Sequence, residues 1–172
     1  MSDLITKAIE VAVSAHAGQV RKYSNIPYIT HPFAVAGLVA SIGGTEDMVA
    51  IAILHDVVED SDVTVEQLEA EFGYEISYGV WCLSDVSKLE DGNRAFRKAM
   101  DREHIRKASS TIKTIKLADL IDNTSSIMAC DPKFAEVYMA EKAQLLRVLQ
   151  DGDPILLALA TELVEGYYSK CA

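Results

Sequence analysis

Residues 50–60 read AIAILHDVVED, and this stretch contains the features from which the fold is inferred. The apolar residues before His55 recur with helical spacing. His55 and Asp56 then stand side by side, so both side chains can face one point only if the helix bends or ends there. Such a pair offers an imidazole nitrogen and a carboxylate to a divalent cation. A His-Asp dipeptide also occurs often by chance, so an ordinary helix end is the alternative.

The rest of the chain also has helical periodicity, and no run alternates as strands do. The predicted elements are a helix ending at Gly18, helices at about 32–42 and 45–58, one capped by Thr64 with Gln67 in the capping-box position, one at 74–83, a charged one at about 94–108, an apolar one at 111–121, and two that begin at Asp131-Pro132 and Asp153-Pro154. The 172 residues therefore predict one all-α domain over residues 1–172, with about eight or nine helices.

The composition is that of a globular chain, with 49% hydrophobic residues and a net charge of −10. This acidity argues against DNA, RNA and anionic membranes as partners. No apolar run approaches the roughly 18–20 residues that span a bilayer. The cysteines, Cys82, Cys130 and Cys171, are odd in number and far apart, and the N-terminus lacks the pattern of a signal peptide. These features favour free thiols and a cytoplasmic location.

The charge is not evenly distributed along the chain. Residues 94–116 contain eight cations and two acids, a segment charge of 8 − 2 = +6, which leaves −10 − 6 = −16 for the other residues. An exposed charged helix explains such a run in most proteins. It also allows a local positive surface on an acidic body, so the net charge does not argue against a small, highly phosphorylated ligand.

Two further residues belong to the candidate constellation. His31 lies 24 residues before His55, at the start of a predicted helix, and Asp119 lies 63 residues after Asp56 as a lone acid in an apolar run. A buried carboxylate is costly without a cation or donors nearby. The alternatives are a helix-capping role for His31 and an ion pair between Asp119 and Lys116, one turn away.

Three stretches carry a resemblance to a known family: AHAGQVRKYSNIPYITHPFAVAGLV, AILHDVVEDSDVTVEQLEAEFG and TIKLADLIDN. In order and spacing, from residue 8 to about 125, they resemble the HD-domain alarmone hydrolases, the hydrolase part of RelA/SpoT-like proteins. The chain is too short for the synthetase and regulatory domains of the long family members. The resemblance therefore implies a stand-alone small alarmone hydrolase built as a single HD-domain helical bundle.

The resemblance also implies a metal site and an acidic pair. The implied metal ligands are His31, His55, Asp56 and Asp119, and the implied ion is Mn²⁺, which suits two imidazoles and two carboxylates. Glu59 and Asp60 match the catalytic acidic pair of the family, whose role would be to orient the attacking water and take its proton. The alternative for these two residues is a solvated acidic loop before the helix that Thr64 caps.

Five residues match positions that contact the nucleotide in the family: Arg21, Lys22, Lys116, Asn123 and Tyr138. The alternatives are solvated cations for the first two and a core position for the tyrosine. The chain departs from the family pattern at Leu120, where many members have arginine, at Asp122, where His or Tyr is common, and at Phe134, where some relatives have a basic residue one turn before the tyrosine. These departures leave the preferred purine open.

The implied reaction is Mn²⁺-dependent removal of the 3′-diphosphate from (p)ppGpp, or from an adenosine counterpart such as (p)ppApp, with release of pyrophosphate. The alternatives are another HD-domain nucleotide phosphohydrolase, such as a nucleotidase or an NADPH 2′-phosphatase, and a metal-loaded nucleotide-binding module without catalysis. A cyclic-dinucleotide phosphodiesterase fits less well, because only His16 and His104 remain as further histidines. A small-molecule nucleotide is the expected partner, and a homo-oligomer is left open by the sequence.

Overall fold

The chain folds almost entirely into α-helices. The computed structural model describes residues 3–171, without the side chains at positions 125, 126, 129, 170 and 171. Within it the chain divides into two compact units, Met1–Ser84 and Asp85–Ala172. The prediction of a single domain over residues 1–172 stays a prediction.

The first unit contains six helices: α1 (Asp3–Ala15), α2 (Thr30–Ser41), α3 (Glu46–Leu54), α4 (Val57–Asp60), α5 (Val65–Phe72) and α6 (Tyr74–Leu83). The second contains a 3₁₀ turn (Leu89–Asp91) and four helices: α7 (Arg94–Arg106), α8 (Ser110–Cys130), α9 (Pro132–Leu146) and α10 (Pro154–Cys171). Among the described residues, β-type pairing is limited to one isolated antiparallel bridge between Val20 and Pro27. The prediction of an all-α chain is confirmed, and the described helices number ten because the predicted helix at 45–58 is divided in two.

Helix α3 is the centre of the first unit. Its residues 50–54 are all buried, and α1, α2 and α6 pack against it. A helix that is apolar on every side is stable only where neighbours cover it completely, so the sequence of α3 dictates its central place. The start of the helix is fixed by Thr45, whose side chain accepts a hydrogen bond from the Met48 amide at 3.3 Å.

The division between α3 and α4 falls at the His-Asp pair. Helix α3 ends at Leu54, Asp56 has φ −97° and ψ −4°, and α4 begins at Val57. The expectation that the helix bends or ends at His55-Asp56 is confirmed. A further predicted boundary is also confirmed, because Thr64 and Gln67 form the capping box that starts α5, with bonds of 3.3 and 2.8 Å.

Helix α8 organises the second unit, and both α9 and α10 pack against it. The connection before α10 is bound closely to α8. The Asp153 amide donates to the Thr114 hydroxyl at 2.8 Å, and the Lys113 ammonium donates to Asp151 at 2.8 Å. A Cβ added to Gly152 would lie 2.7 Å from a Leu117 methyl carbon and 3.2 Å from the Leu149 carbonyl oxygen, so a larger residue requires the Leu117 side chain or the connection to shift.

Helix α8 is longer than the predicted element at 111–121. The polar run that follows Asp122 resembles a helix end in sequence, yet the helix continues to Cys130. Thr124 is fully buried there, and its hydroxyl donates to the Leu120 carbonyl at 2.6 Å, so the helix itself satisfies the polar group.

Two other expectations concern thiols and membranes. Cys82 is a buried free thiol and Cys130 an exposed one. The side chain of Cys171 lies outside the described residues. No helix in the described part of the chain has the length and apolar character needed to cross a bilayer.

Candidate metal centre

His31, His55 and Asp56 converge in the first unit. One ligand atom from each lies within 4.8 Å of the other two. The Asp56 Oδ2 atom is 3.1 Å from the Nε2 atom of His55 and 3.5 Å from that of His31. Both imidazoles are about 1% exposed, and Asp56 is 16% exposed. Three of the four predicted metal ligands are therefore in place around one point.

Two local features place these side chains. His31 lies in the first turn of α2, where its amide donates to the Tyr28 carbonyl at 2.8 Å. Pro32 is tolerated in this turn because an amide there has no helical partner to donate to. Asp56 lies in the break after α3, so its carboxylate can face the same point as the imidazole of His55.

The donor set fits a divalent cation. The Nδ1 atom of His55 is 2.8 Å from the Ala52 carbonyl oxygen, which can only accept, so Nδ1 carries the proton. In the neutral ring the Nε2 lone pair then faces the Asp56 carboxylate, and two acceptors facing each other call for a cation between them. One carboxylate and two neutral imidazoles suit ions such as Mn²⁺, Fe²⁺ and Zn²⁺. The predicted divalent metal is consistent with this geometry.

Tyr28 holds the carboxylate in place. Its hydroxyl donates to Asp56 Oδ2 at 2.7 Å, and its ring lies edge-on to His31 with centroids 5.8 Å apart. Outer residues of this kind fix the orientation of metal ligands. Tyr28 was not among the predicted site residues, although it lies in the quoted PYITHP stretch next to a predicted ligand.

The acidic pair follows the ligand pair by one helical turn. Glu59 and Asp60 are exposed residues of the short helix α4. The pKa of Asp60 is raised, first by partial removal of its carboxylate from water and then by the negative charge of Asp56. Tyr28, His16 and His55 act in the opposite direction. An aspartate with a raised pKa beside a metal-ligand pair has the character of a proton acceptor.

His16 and Gln19 brace this acidic turn. The His16 Nδ1 atom is 2.8 Å from Gln19 Oε1, and the Gln19 amide nitrogen donates to the Asp60 carbonyl at 2.7 Å. His16 is 3% exposed, and its ring lies 4.9 Å from that of Tyr28. The sequence left His16 without a role, and its position is that of a support for the acidic pair.

The remaining first-unit candidates, Arg21 and Lys22, lie in the connection between α1 and α2. Arg21 exchanges backbone hydrogen bonds with Ile26 and Asn25, which close a tight turn. Asn25 has the positive φ of 56° that such a turn requires. Lys22 donates to the Tyr23 hydroxyl at 3.1 Å. Their contact with a nucleotide stays a prediction.

The fourth predicted ligand, Asp119, belongs to the second unit, on α8. It is 6% exposed and bonded by Lys116 at 2.9 Å and by Asn123 at 2.6 Å. The predicted i−3 and i+4 spacing thus brings these three side chains together. The ion pair with Lys116 is the contact named as the alternative, and a metal-binding role for Asp119 stays a prediction.

Tyr138, on α9, is 5% exposed and lies 6.1 Å from the Phe134 ring, centroid to centroid. The Lys142 ammonium lies 4.7 Å from the centroid of the Tyr138 ring. This aromatic and basic face was only partly foreseen, because Lys142 was not among the predicted residues. The sequence feature that could have indicated Lys142 is its position four residues after Tyr138, which places both side chains on one helix face.

Comparison with known proteins agrees with this geometry. The family model described as "HD domain" matches residues 8–154, so the chain belongs to the HD-domain family. The MESH1 guanosine-3′,5′-bis(diphosphate) 3′-pyrophosphohydrolases are among its relatives. The Xenopus tropicalis protein is 35% identical over 76% of this chain and 73% of its own length, and the Homo sapiens protein is 32% identical over 85% and 84%.

Longer relatives match over a small part of their length. A protein of Synechocystis, named a probable guanosine-3′,5′-bis(diphosphate) 3′-pyrophosphohydrolase, is 39% identical over 76% of this chain. The aligned region spans 17% of that relative and 16% of a probable GTP pyrophosphokinase of Mycobacterium leprae.

Solved structures share the fold. One, described as a metazoan ortholog of SpoT that hydrolyses ppGpp and plays a role in starvation responses, has a TM-score of 0.87 and 25% identity over 97% of both chains. A Listeria monocytogenes protein has a TM-score of 0.68 at 23% identity, which supports the fold alone. The resemblance to the HD-domain alarmone hydrolases is confirmed.

Proposed function

We propose that this chain hydrolyses the 3′-diphosphate of an alarmone nucleotide and releases pyrophosphate, with ppGpp or its pentaphosphate as the substrate. The observation that carries the proposal is the convergence of two buried imidazoles on the Asp56 carboxylate, with an acidic pair one turn later. The names of the MESH1 relatives supply the substrate class.

His31, His55 and Asp56 would hold the metal ion, and we propose Asp119 as the fourth ligand because TIKLADLIDN matches the family. When bound, a divalent ion polarises phosphoryl oxygens and makes a water more acidic. We propose Mn²⁺ because mixed imidazole and carboxylate donors suit a borderline-to-hard ion. The Tyr28 hydroxyl orients the Asp56 carboxylate by donating to Oδ2, the oxygen that faces both imidazoles.

Glu59 and Asp60 would orient the attacking water and take its proton. The oxygen of a water forms a bond to the phosphorus attached to O3′, the bond from that phosphorus to O3′ breaks, and O3′ takes up a proton as pyrophosphate leaves. Asp60, with its raised pKa, accepts the proton of the water, and Glu59 orients the water. Arg21, Lys22, Lys116, Asn123 and Tyr138 are proposed to bind the nucleotide.

The purine preference is proposed as guanosine because the relatives are named for guanosine bis(diphosphate). An adenosine counterpart stays the second candidate, since the departures at Leu120 and Phe134 fall among the proposed nucleotide contacts. The cytoplasmic location stays a prediction, and the sequence allows either a monomer or a homo-oligomer.

The test is a comparison of products across substrates. Purified chain with Mn²⁺ is incubated with ppGpp, the adenosine counterpart, nucleoside monophosphates and NADPH, and released pyrophosphate and orthophosphate are measured separately. Pyrophosphate from the first two is expected. Faster orthophosphate release from the last two would favour another HD phosphohydrolase, and tight nucleotide binding without turnover would favour a binding module.

Matched variants assign the acidic pair. Glu59→Gln and Asp60→Asn are expected to lower kcat by about 10²–10⁴-fold, the usual contribution of general acid–base catalysis, with Mn²⁺ affinity retained. Glu66→Gln makes the same change at an exposed acid of α5 and is expected to leave kcat unchanged. Loss of activity in all three, or in none, would contradict the assignment.

A further inference from the structure

Lys142 occupies an unusual position on α9. Its ammonium group lies 4.7 Å from the centroid of the Tyr138 ring, one helical turn earlier. The residue is only partly exposed, and it forms no hydrogen bond or ion pair with any residue that the structure describes. A partly desolvated cation without a carboxylate partner is rare, because it loses hydration without compensation.

Two other lysines of the second unit lie near enough to lower the pKa of Lys142, and both have carboxylate partners. Lys116 pairs with Asp119 at 2.9 Å, and Lys98 pairs with Asp85 and with Asp101, the latter at 3.4 Å. Lys142 is therefore the member of this lysine trio that has no partner among the described residues.

Removal of the Lys142 ammonium from water lowers its pKa to about 8. Burial is the largest cause, and the positive charges of Lys116 and Lys98 add to it. Asp119 on α8 and Asp85 before α7 oppose the shift without cancelling it. The Lys142 ammonium is thus largely removed from water without a bonded carboxylate, and an anionic ligand would supply the contact that it lacks.

We propose that Lys142 is a specificity-determining residue that binds a phosphate group of the nucleotide, beside Lys116 and over the face of Tyr138. This inference rests on the proposed function and adds to it a residue that favours highly phosphorylated nucleotides over monophosphates. A phosphate oxygen accepting from the ammonium forms a charge-assisted hydrogen bond, about twice as strong as a neutral one. The aromatic ring restricts the lysine chain, so less conformational entropy is lost on binding.

The sign of the pH dependence follows from the position of the Lys142 pKa. An anion binds the protonated ammonium, so binding raises that pKa. In the free protein the ammonium loses its proton as the pH rises through about 8, and KM is expected to rise with it. Arginine at this position stays charged over that range, so the rise in KM between pH 7 and about 9 is expected to disappear.

The test uses Lys142→Met, which keeps the length of the side chain, Lys142→Arg, which keeps the charge, and Lys133→Met as a control at an exposed lysine on the same helix. For ppGpp hydrolysis, Lys142→Met is expected to raise KM by about 10-fold or more, equivalent to one lost charged contact, with kcat changed less than about threefold. Lys142→Arg is expected to keep KM within about threefold and to lose the pH-dependent rise. Circular dichroism checks that each variant is folded.

A binding measurement separates this inference from the proposed function. Calorimetric titration with inorganic pyrophosphate, without substrate, is expected to show weaker binding for Lys142→Met than for the unmodified chain and for Lys133→Met. If pyrophosphate binding depends on Lys142 while no nucleotide is hydrolysed, the subsite stands and the proposed function fails. If nucleotides are hydrolysed while KM and pyrophosphate affinity are both unchanged in Lys142→Met, the proposed subsite is overturned. It is also overturned if Lys142→Arg behaves like Lys142→Met.

Discussion

The hydroxyl of Tyr28 donates to Asp56 Oδ2, the oxygen that also lies nearest the imidazoles of His31 and His55. One hydrogen bond thus determines how the carboxylate is presented to a cation. The same tyrosine opposes the increase in the Asp60 pKa, so it acts on both the ligand group and the acidic pair. A residue of this kind contributes through orientation and not through direct chemistry.

Replacement of Tyr28 by phenylalanine is therefore expected to weaken metal binding while the ring contacts are kept. Loss of a hydrogen bond of this type costs about 10–100-fold in metal affinity. The measurement is the Mn²⁺ concentration that gives half-maximal activity. Tyr74→Phe, at an exposed tyrosine of α6, is the control. Equal Mn²⁺ dependence in Tyr28→Phe and the unmodified chain would refute the positioning role.

At the residue scale, the sequence could predict the groups that have distinctive chemistry. His31, His55 and Asp56 were predicted as metal ligands because they match the ligand positions of the family that the chain resembles, and the structure brings them together. Tyr28 and Gln19 could not be predicted in this way. Tyrosine and glutamine serve many purposes, and only the folded chain shows that they bond to Asp56 and to the Asp60 carbonyl.

At the element scale, the break between α3 and α4 is what makes the ligand pair usable. Residues 50–54 of α3 are buried and position His55, while the interruption of the helix at Asp56 lets two consecutive side chains face one point. A continuous helix would place neighbouring side chains about 100° apart around its axis. The break between α3 and α4 is therefore a requirement of the site.

The contact of Gly152 with α8 gives a prediction at the same scale. Gly152→Ala would place a Cβ 2.7 Å from Leu117 and 3.3 Å from the Thr114 amide, so the connection must move away from the helix. Overpacking of this kind lowers the free energy of unfolding by about 1–3 kcal/mol. Urea denaturation measures the change.

Gly166→Ala is the matched control for this measurement. Gly166 lies within α10, and an added Cβ there has no described atom within 4 Å. Alanine in a helix interior is favoured over glycine by about 0.5–1 kcal/mol, so this variant is expected to be slightly more stable. Equal free energies of unfolding for Gly152→Ala and Gly166→Ala would contradict the close packing at Gly152.

Helix boundaries with specific end chemistry were the ones that the sequence could predict. The Thr64 capping box and the Asp131-Pro132 start of α9 both occur as expected, and the Asp131 side chain accepts from the Phe134 amide at 3.2 Å. The end of α8 could not be predicted, because Thr124 has a polar side chain that the helix buries and satisfies internally. Local composition does not reveal whether a polar side chain is exposed or is buried and bonded within its own helix.

At the scale of the whole molecule, a net charge of −10 coexists with a segment of +6 at residues 94–116. The structure shows that much of this positive charge is matched locally. Several cations of the segment pair with acids of the second unit or of their own helix, including Arg94 with Glu141 and Arg106 with Glu103. Arg97 and Arg102 have no ion pair with a described residue, so they contribute most to the remaining field.

Removal of these two charges is expected to weaken substrate capture. Arg97→Gln combined with Arg102→Gln should raise KM for ppGpp and reduce the increase of KM with salt, since screening acts over about 8–10 Å at ordinary ionic strength. KM measured at low and high NaCl checks both effects. Arg106→Gln, whose charge is already paired with Glu103, is the control and should change KM little. A KM that is the same in all variants would contradict the role of the basic segment.

The central claim is that the metal centre of this chain cleaves the bond between O3′ and phosphorus and releases the diphosphate intact. Phosphorus NMR of ppGpp incubated with the purified chain and Mn²⁺ tests it most directly. The account predicts that pyrophosphate and GDP appear in equal amounts, at a rate that His55→Ala abolishes. Orthophosphate as the first product, or pyrophosphate release that persists in His55→Ala, would contradict it.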